Sequence, residues 1–206
     1  GDTKTDHHKE HVLMLDLAAF GLTLSGDLGY PLRIDSNPER LEWVANTISA
    51  NTVVVNDRGQ MKIGHNGFPM HFTDDGYAKV MDADASDAYP ETDIYRRTVV
   101  TVKAPNGVDY AVDFFRILGG SEHVYSFHGA TRIDPTTEGL EMVHQPMGTY
   151  AGADVPFGDH TVNPGTTDAA ANQGSGYSWL YNVSRDDSPE HYFSIDWEIE
   201  DFQNQL

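Results

Sequence analysis

The chain has 206 residues, 39% of them hydrophobic and 11% aromatic, enough for one domain or a large β-sandwich with a packed core. It contains no cysteine, which excludes disulfides and thiolate metal sites. With 32 acidic residues against 13 basic ones, the formal net charge of −19 repels nucleic-acid phosphates and anionic membrane surfaces.

No apolar run reaches the roughly 20 residues that a membrane-spanning helix needs, so neither nucleic acid nor membrane is expected as a partner. The acidic balance fits a salty or extracellular setting, and the expected location is secreted or periplasmic. Basic residues are unevenly placed: after Arg132 only Arg185 remains. An anionic ligand is therefore expected to meet the first two-thirds of the chain, where Arg33, Arg58, Arg96, Arg97 and Arg116 lie. The sequence opens on Gly1 with a strand-like run close behind, and it reads as a piece of a longer protein.

In chain order, "HVLMLDLAAFG" (11–21) alternates apolar residues at Leu13, Leu15 and Leu17 and predicts a strand. "NPERLEWVANTI" (37–48) carries a cap residue at Asn37, a proline in the first turn and apolar residues at helical spacing. It predicts a short helix or turn. "NTVVVND" (51–57) is a β-branched strand closed by turn residues. Residues 95–120 contain two strands around "APNG", a hairpin signal built on Asn106-Gly107.

Within the second of these strands, Ala111, Asp113, Phe115 and Ile117 share one face, and Val112, Phe114, Arg116 and Leu118 share the other. Both faces are largely apolar, which predicts a strand covered on both sides. Gly119-Gly120 is expected to make the turn, with "HVYSFHG" (123–129) returning antiparallel. Arg96 and Arg97 face opposite sides, one reaching a buried carboxylate such as Asp113. His123 and His128 read as structural. The segment 134–174 reads as loops with short strands, and "SGYSWLYNVS" (175–184) and "HYFSIDW" (191–197) as two further strands. Many short strands with frequent turns predict an all-β fold, an antiparallel β-sandwich over residues 1–206.

Several motifs, in sequence order, resemble the β-sandwich portion of heparinase II/III-like polysaccharide lyases. They are "DLGYP" (27–31), "NTVVVNDRGQ" (51–60), "YRRTVV" (95–100), "DYAVDFFRILGGSEHVYSFHG" (109–129), "GYSWLYNV" (176–183) and "FSIDW" (193–197). The resemblance implies one part of an enzyme that cleaves uronic-acid-containing polysaccharide by β-elimination. An N-terminal helical toroid, absent from these residues, would supply a tyrosine acid/base and the group that neutralises the uronate carboxylate. The sandwich would supply a histidine and, in several members, a zinc site.

Carried onto "DHHKEH" (6–11), a gap-free alignment places His7 on the catalytic position and Lys9 on a metal position. One inserted residue places His8 on the metal position instead. Asp27 matches the metal-binding aspartate. Ala50 stands where the family has a third ligand, a histidine, which weakens zinc as a cofactor, and His65 is a possible substitute. Plainer readings stand beside these: His7 and His8 on a solvated arm, and Asp27 in an ordinary turn. The alternative functions are a non-catalytic carbohydrate-binding sandwich, with aromatic rings stacked on sugars, and a structural domain without a ligand.

Overall fold

The computed structural model describes residues 9–29, 38–61, 67–162 and 174–199. Its strands are β1 (Leu17–Ala19), β2 (Leu22–Ser25), β3 (Val53–Val55), β4 (Phe68–Asp74), β5 (Ala78–Asp84), β6 (Thr92–Val102) and β7 (Tyr110–Gly119). There follow β8 (His123–Tyr125), β9 (Thr136–Glu138), β10 (Val143–His144), β11 (Ser184–Arg185) and β12 (Ser194–Asp196). Every pairing among them is antiparallel, and helix is confined to a few single turns, so the fold is all-β and sandwich-like. No helix among the described residues is long and apolar enough to cross a membrane.

The largest sheet has the order β4-β5-β6-β7 and is built from two local turns. Between β4 and β5, the Asp75 carboxylate accepts the Tyr77 and Ala78 amides at 2.9 and 2.8 Å, while Gly76 takes a positive φ of 89°. Between β6 and β7, Asn106 Oδ1 accepts the Val108 amide at 3.1 Å, and Gly107 has φ 78°. The Asn-Gly signal therefore does what its chemistry allows, since a tight reversal needs a residue free to adopt positive φ.

One face of this sheet packs on β3. Tyr89, Tyr95, Ala85 and Ala88 form a buried cluster with Val53 and Val55, and Phe115 and Ile117 press against it. The side chain between them, Val54, points the other way into a second cluster with Ile48 and Tyr177. β3 is thus a wall with apolar layers on both sides, which is why three successive valines are all buried.

Four expectations change. "HVYSFHG" does pair antiparallel, but with β3 and not with β7. Gly119 and Gly120, with φ of 104° and 77°, turn the chain out of the large sheet. A Cβ on Gly119 would overlap the Glu91 carbonyl oxygen, so the bend requires glycine there. Asn56 Oδ1 then accepts the Ser121 and Glu122 amides at 2.8 and 3.2 Å and delivers β8 to β3.

The second face of β7 is also not covered by the described residues: Phe114 and Leu118 are 54% and 55% exposed. The strand expected over 11–21 shrinks to Leu17–Ala19, because Leu13 adopts φ 58° and Val12 gives its amide to Gln60 Oε1 at 2.8 Å. The strand expected over 175–184 becomes a 3-10 turn at Tyr177–Trp179 followed by β11. Gly176 enters that turn at φ 71°, tight against the Glu42 carbonyl. The short helix or turn expected over 37–48 is present as a π-helical turn, Glu39–Val44, and a 3-10 turn, Thr47–Ser49, capped by the Asn46 side chain; the expected cap Asn37 lies outside the described residues.

On the open face, Asp82 holds three neighbours. Arg96 Nε donates to it at 2.9 Å and Arg96 Nη2 completes a fork, Thr98 Oγ1 donates at 3.1 Å, and Arg116 Nη2 stands 3.6 Å away. The Arg96 hydrogen bonds lead in drawing the Asp82 pKa down to about 2. A carboxylate depressed in the folded state contributes stability above its ordinary value of 3.8, and that contribution disappears as pH falls towards 2. The stability difference between the parent and Asp82→Asn should therefore be constant above about pH 5 and shrink between pH 4 and pH 2. Urea titrations at stepped pH measure it; a difference that does not change over that range would contradict the assignment.

Candidate functional site around Asp27

β2 ends at Ser25, and the turn after it presents the Asp27 carboxylate to two side chains from the start of the described chain. Lys9 Nζ pairs with Asp27 Oδ1 and also donates to the Gly29 carbonyl at 2.6 Å. His11 Nδ1 lies 3.1 Å from Asp27 Oδ2. A carboxylate can only accept, so the neutral ring carries its proton on Nδ1. His11 Nε2 is then an acceptor for which the Ser49 hydroxyl, at 3.3 Å, is the donor within reach; the Asn46 carbonyl, at 3.2 Å, is a second acceptor beside it. The Ser49 hydroxyl lies within hydrogen-bond distance of both His11 and the Asn46 carbonyl, the latter at 2.9 Å.

The electrostatics follow from burial and these partners. Burial lowers the His11 pKa more than Asp27 raises it, so the ring is neutral at pH 7. Burial pushes Asp27 up, but the Lys9 hydrogen bond, the Gly29 amide and the charges of Lys9 and His11 together hold it below the ordinary carboxylate value. Asp16 is raised, first by its own burial and then by the negative charge of Asp27. The site is thus one ionised carboxylate clamped by an ammonium and a neutral imidazole.

Ser49, His11 and Asp27 stand in the order of a nucleophilic triad, but the geometry does not serve that chemistry. Ser49 is only 3% exposed, so no substrate carbonyl reaches its hydroxyl. The array instead ties three segments together: residues 9–11, the turn after β2, and the Asn46–Ser49 turn. Glu10 is fully buried between these anchors, with its amide bonded to the Ala45 carbonyl at 3.0 Å.

The positions singled out in the sequence divide as follows. Asp27 sits in this clamp, with Lys9 directly on it. Ala50 is buried one residue from Ser49 and offers no donor atom. His7, His8, His65 and Arg33 lie outside the described residues. Zinc does not fit the side chains around Asp27: one oxygen holds an ammonium and the other an imidazole N–H. Among the described residues, no group of three or more His, Asp or Glu side chains could hold a metal. Arg97 makes the internal ion pair with Asp113, and Arg96 is taken by Asp82. His123 Nε2 meets the Gly119 carbonyl at 2.8 Å, and His128 Nε2 meets the Ile48 carbonyl at 2.8 Å, both structural arrangements.

No family model, curated protein or solved structure matches this chain.

Two features escaped the sequence reading. His11 was part of the "DHHKEH" run, but nothing local distinguishes it from its neighbours; its burial is a tertiary fact. The second is an aromatic group in which the Phe157 ring meets Trp179 at 5.3 Å and Tyr181 at 5.1 Å, both edge-on. Phe157 and Tyr181 are 57% and 68% exposed, and Trp179 Nε1 donates to Glu42 Oε2 at 3.3 Å. The spacing Phe157…Trp179-x-Tyr181 carries no periodic signal, because its two halves lie far apart in the sequence.

Proposed function

We propose that this chain is the β-sandwich part of a lyase that cleaves uronic-acid-containing polysaccharide by β-elimination, inactive alone and completed by a helical toroid domain. The observation that supports the reading is that position 9 meets position 27, and that His11 links Asp27 to Ser49, the neighbour of position 50. The motif resemblance requires those three places, distant in sequence, to share one site. Lys9 lies on Asp27, and His11 bridges Asp27 to Ser49. In this chain a lysine ammonium stands on Asp27 and ties residue 9, close to His7 and His8 in the sequence, to the turn after β2.

In β-elimination a base removes the proton α to the uronate carboxylate, and the glycosidic oxygen leaves the neighbouring carbon. The α proton is weakly acidic, so the carboxylate must be neutralised and the base held close. An imidazole titrates near neutral pH and suits either the proton transfer or the stabilisation of developing charge. On this reading His7 is that imidazole.

The chain alone is expected to show no turnover on alginate, heparin or ulvan, followed as ultraviolet absorbance of the unsaturated product. Turnover by the chain alone would overturn the two-domain reading. In the enzyme carrying its toroid, His7→Ala should lower turnover roughly a hundredfold or more, the scale of losing a general base. If His8→Ala abolishes turnover while His7→Ala is silent, the catalytic role moves to His8.

One observation favours a second reading, a non-catalytic carbohydrate-binding sandwich. The exposed rings of Phe157 and Tyr181, braced by Trp179, form the kind of surface on which sugar rings stack. Retention of the chain on polysaccharide affinity gels, lost in Tyr181→Ala and unaffected by His7→Ala, would select it.

A further inference from the structure

We propose that the chain forms a two-fold dimer in which β7 pairs antiparallel with β7 of a second copy, joining the two four-stranded sheets into one. β7 is ten residues long and hydrogen-bonds to β6 on one side. Among the described residues no strand takes its other side.

The two edges of this sheet are treated differently. A lone edge strand is a template for another strand, and monomeric proteins blunt such edges with proline, lysine or a bulge. β4, the opposite edge, has both Pro69 and a break in register between Pro69 and His71. β7 has neither proline nor lysine, and its register with β6 is unbroken from Leu118 to Tyr110. The middle of β7 also opens on a cavity of about 510 Å³ lined by Thr98, Asp113, Phe114, Phe115 and Arg116. Residues from both faces of the strand line it, as expected where an edge is bare.

Charge does not oppose a second copy at this edge, although the chain is acidic overall. At −19 overall, two copies repel, yet β7 carries only Asp113 and Arg116 and is formally neutral. Asp113 is further matched by Arg97. Two-fold pairing keeps each residue opposite one on the same face. With Phe115 on the axis, Phe114 falls opposite the partner's Arg116, and Val112 opposite the partner's Leu118. Each cationic side chain then meets an aromatic face, twice by symmetry, and the apolar pairs extend the contact. Phe114 and the Arg116 side chain are both 54% exposed, and Arg116 Nη2, which donates to Thr98 Oγ1 at 2.8 Å and stands 3.6 Å from Asp82, is held on the same open face as Phe114. Pairing over residues 111–119 supplies about one hydrogen bond per residue, close to the roughly ten of a typical stable interface. A self-complementary patch of this kind closes at two copies.

Sedimentation equilibrium on the full chain tests it. The expected result is a dimer at about 10 μM. Phe114→Lys, an exposed position, should weaken association at least tenfold with an unchanged far-ultraviolet spectrum, and Phe72→Lys on β4 should leave it unchanged. Because the chain lacks cysteine, a Phe114→Cys, Arg116→Cys variant reports the register: mild oxidation should give a covalent dimer on a non-reducing gel. A monomer at about 100 μM overturns the proposal, as does a dimer that survives Phe114→Lys or dissolves in Phe72→Lys.

Discussion

Replacing Arg97 by methionine will lower stability by about 3–5 kcal/mol, the scale of removing one partner from a buried ion pair. Arg97 is 4% exposed and donates through every arm of its guanidinium. Nε and Nη2 fork onto Asp113 at 2.8 Å each, Nη1 reaches the carbonyls of Leu13 and Asn51 at 2.5 Å, and Nη2 also meets Tyr125 Oη at 3.0 Å. The loss therefore takes the cation from Asp113, which keeps the Tyr125 hydroxyl as a donor, and takes a donor from the Leu13 and Asn51 carbonyls, of which Asn51 keeps the Leu15 amide. The salt bridge by itself is a smaller matter, because a well-packed apolar pair of similar volume is often as stable. Arg97→Met combined with Asp113→Leu should accordingly recover part of the loss, though the Leu13 and Asn51 carbonyls stay without the guanidinium donor. Urea unfolding of the two single variants and the double variant measures this. A loss below about 1 kcal/mol for Arg97→Met would mean that the pair is solvated and the guanidinium is not the link between layers.

Tyr95→Ala is the second large effect, also about 3–5 kcal/mol, because a fully buried aromatic ring leaves a cavity that the core cannot close. The ring packs edge-on against Tyr89 at 5.3 Å and Phe115 at 4.8 Å. Its hydroxyl donates to the Val53 carbonyl at 2.6 Å and lies 3.0 Å from both Gln60 Nε2 and Thr52 Oγ1. Burial, outweighing those bonds, pushes its pKa up to about 12, so it remains a donor at any ordinary pH. Tyr95→Phe separates the two contributions: the ring stays, while the Val53 carbonyl and the Gln60 amide lose a partner inside the core. That change should cost about 1–3 kcal/mol, the penalty for unsatisfied buried polar groups. Thermal unfolding of both variants checks the order; if Tyr95→Phe costs as much as Tyr95→Ala, the hydroxyl network rather than the ring holds β6 to β3.

These two side chains also mark how far the sequence could be read. Arg97 and Asp113 lie on strands joined by a short Asn-Gly turn, so their alternation placed them on one face and suggested that they meet. The clamp of Lys9, His11 and Asp27 was legible only in part. Asp27 was singled out through a motif and Lys9 through an alignment, while His11, the buried member, gave no local sign. Burial depends on what packs against a residue, and the Asn46–Ser49 turn that covers His11 is more than 30 residues away.

By itself, the sequence determined the all-β class, the β6–β7 hairpin, the valine run of β3 and the strongly negative net charge. These depend on interactions within a few residues, or on sums over the whole chain. Tertiary structure decided the rest. It sent β8 to β3 instead of β7, because Gly119 and Gly120 bend the chain out of the sheet and Asn56 captures it. Among the described residues it left one face and one edge of β7 bare, although the apolar pattern of β7 is that of a covered strand. It turned 175–184 into a 3-10 turn, because Tyr177 was needed in the cluster with Ile48 and Val54. Alternation says which residues share a face, but only the arrival of a distant segment determines whether that face is buried.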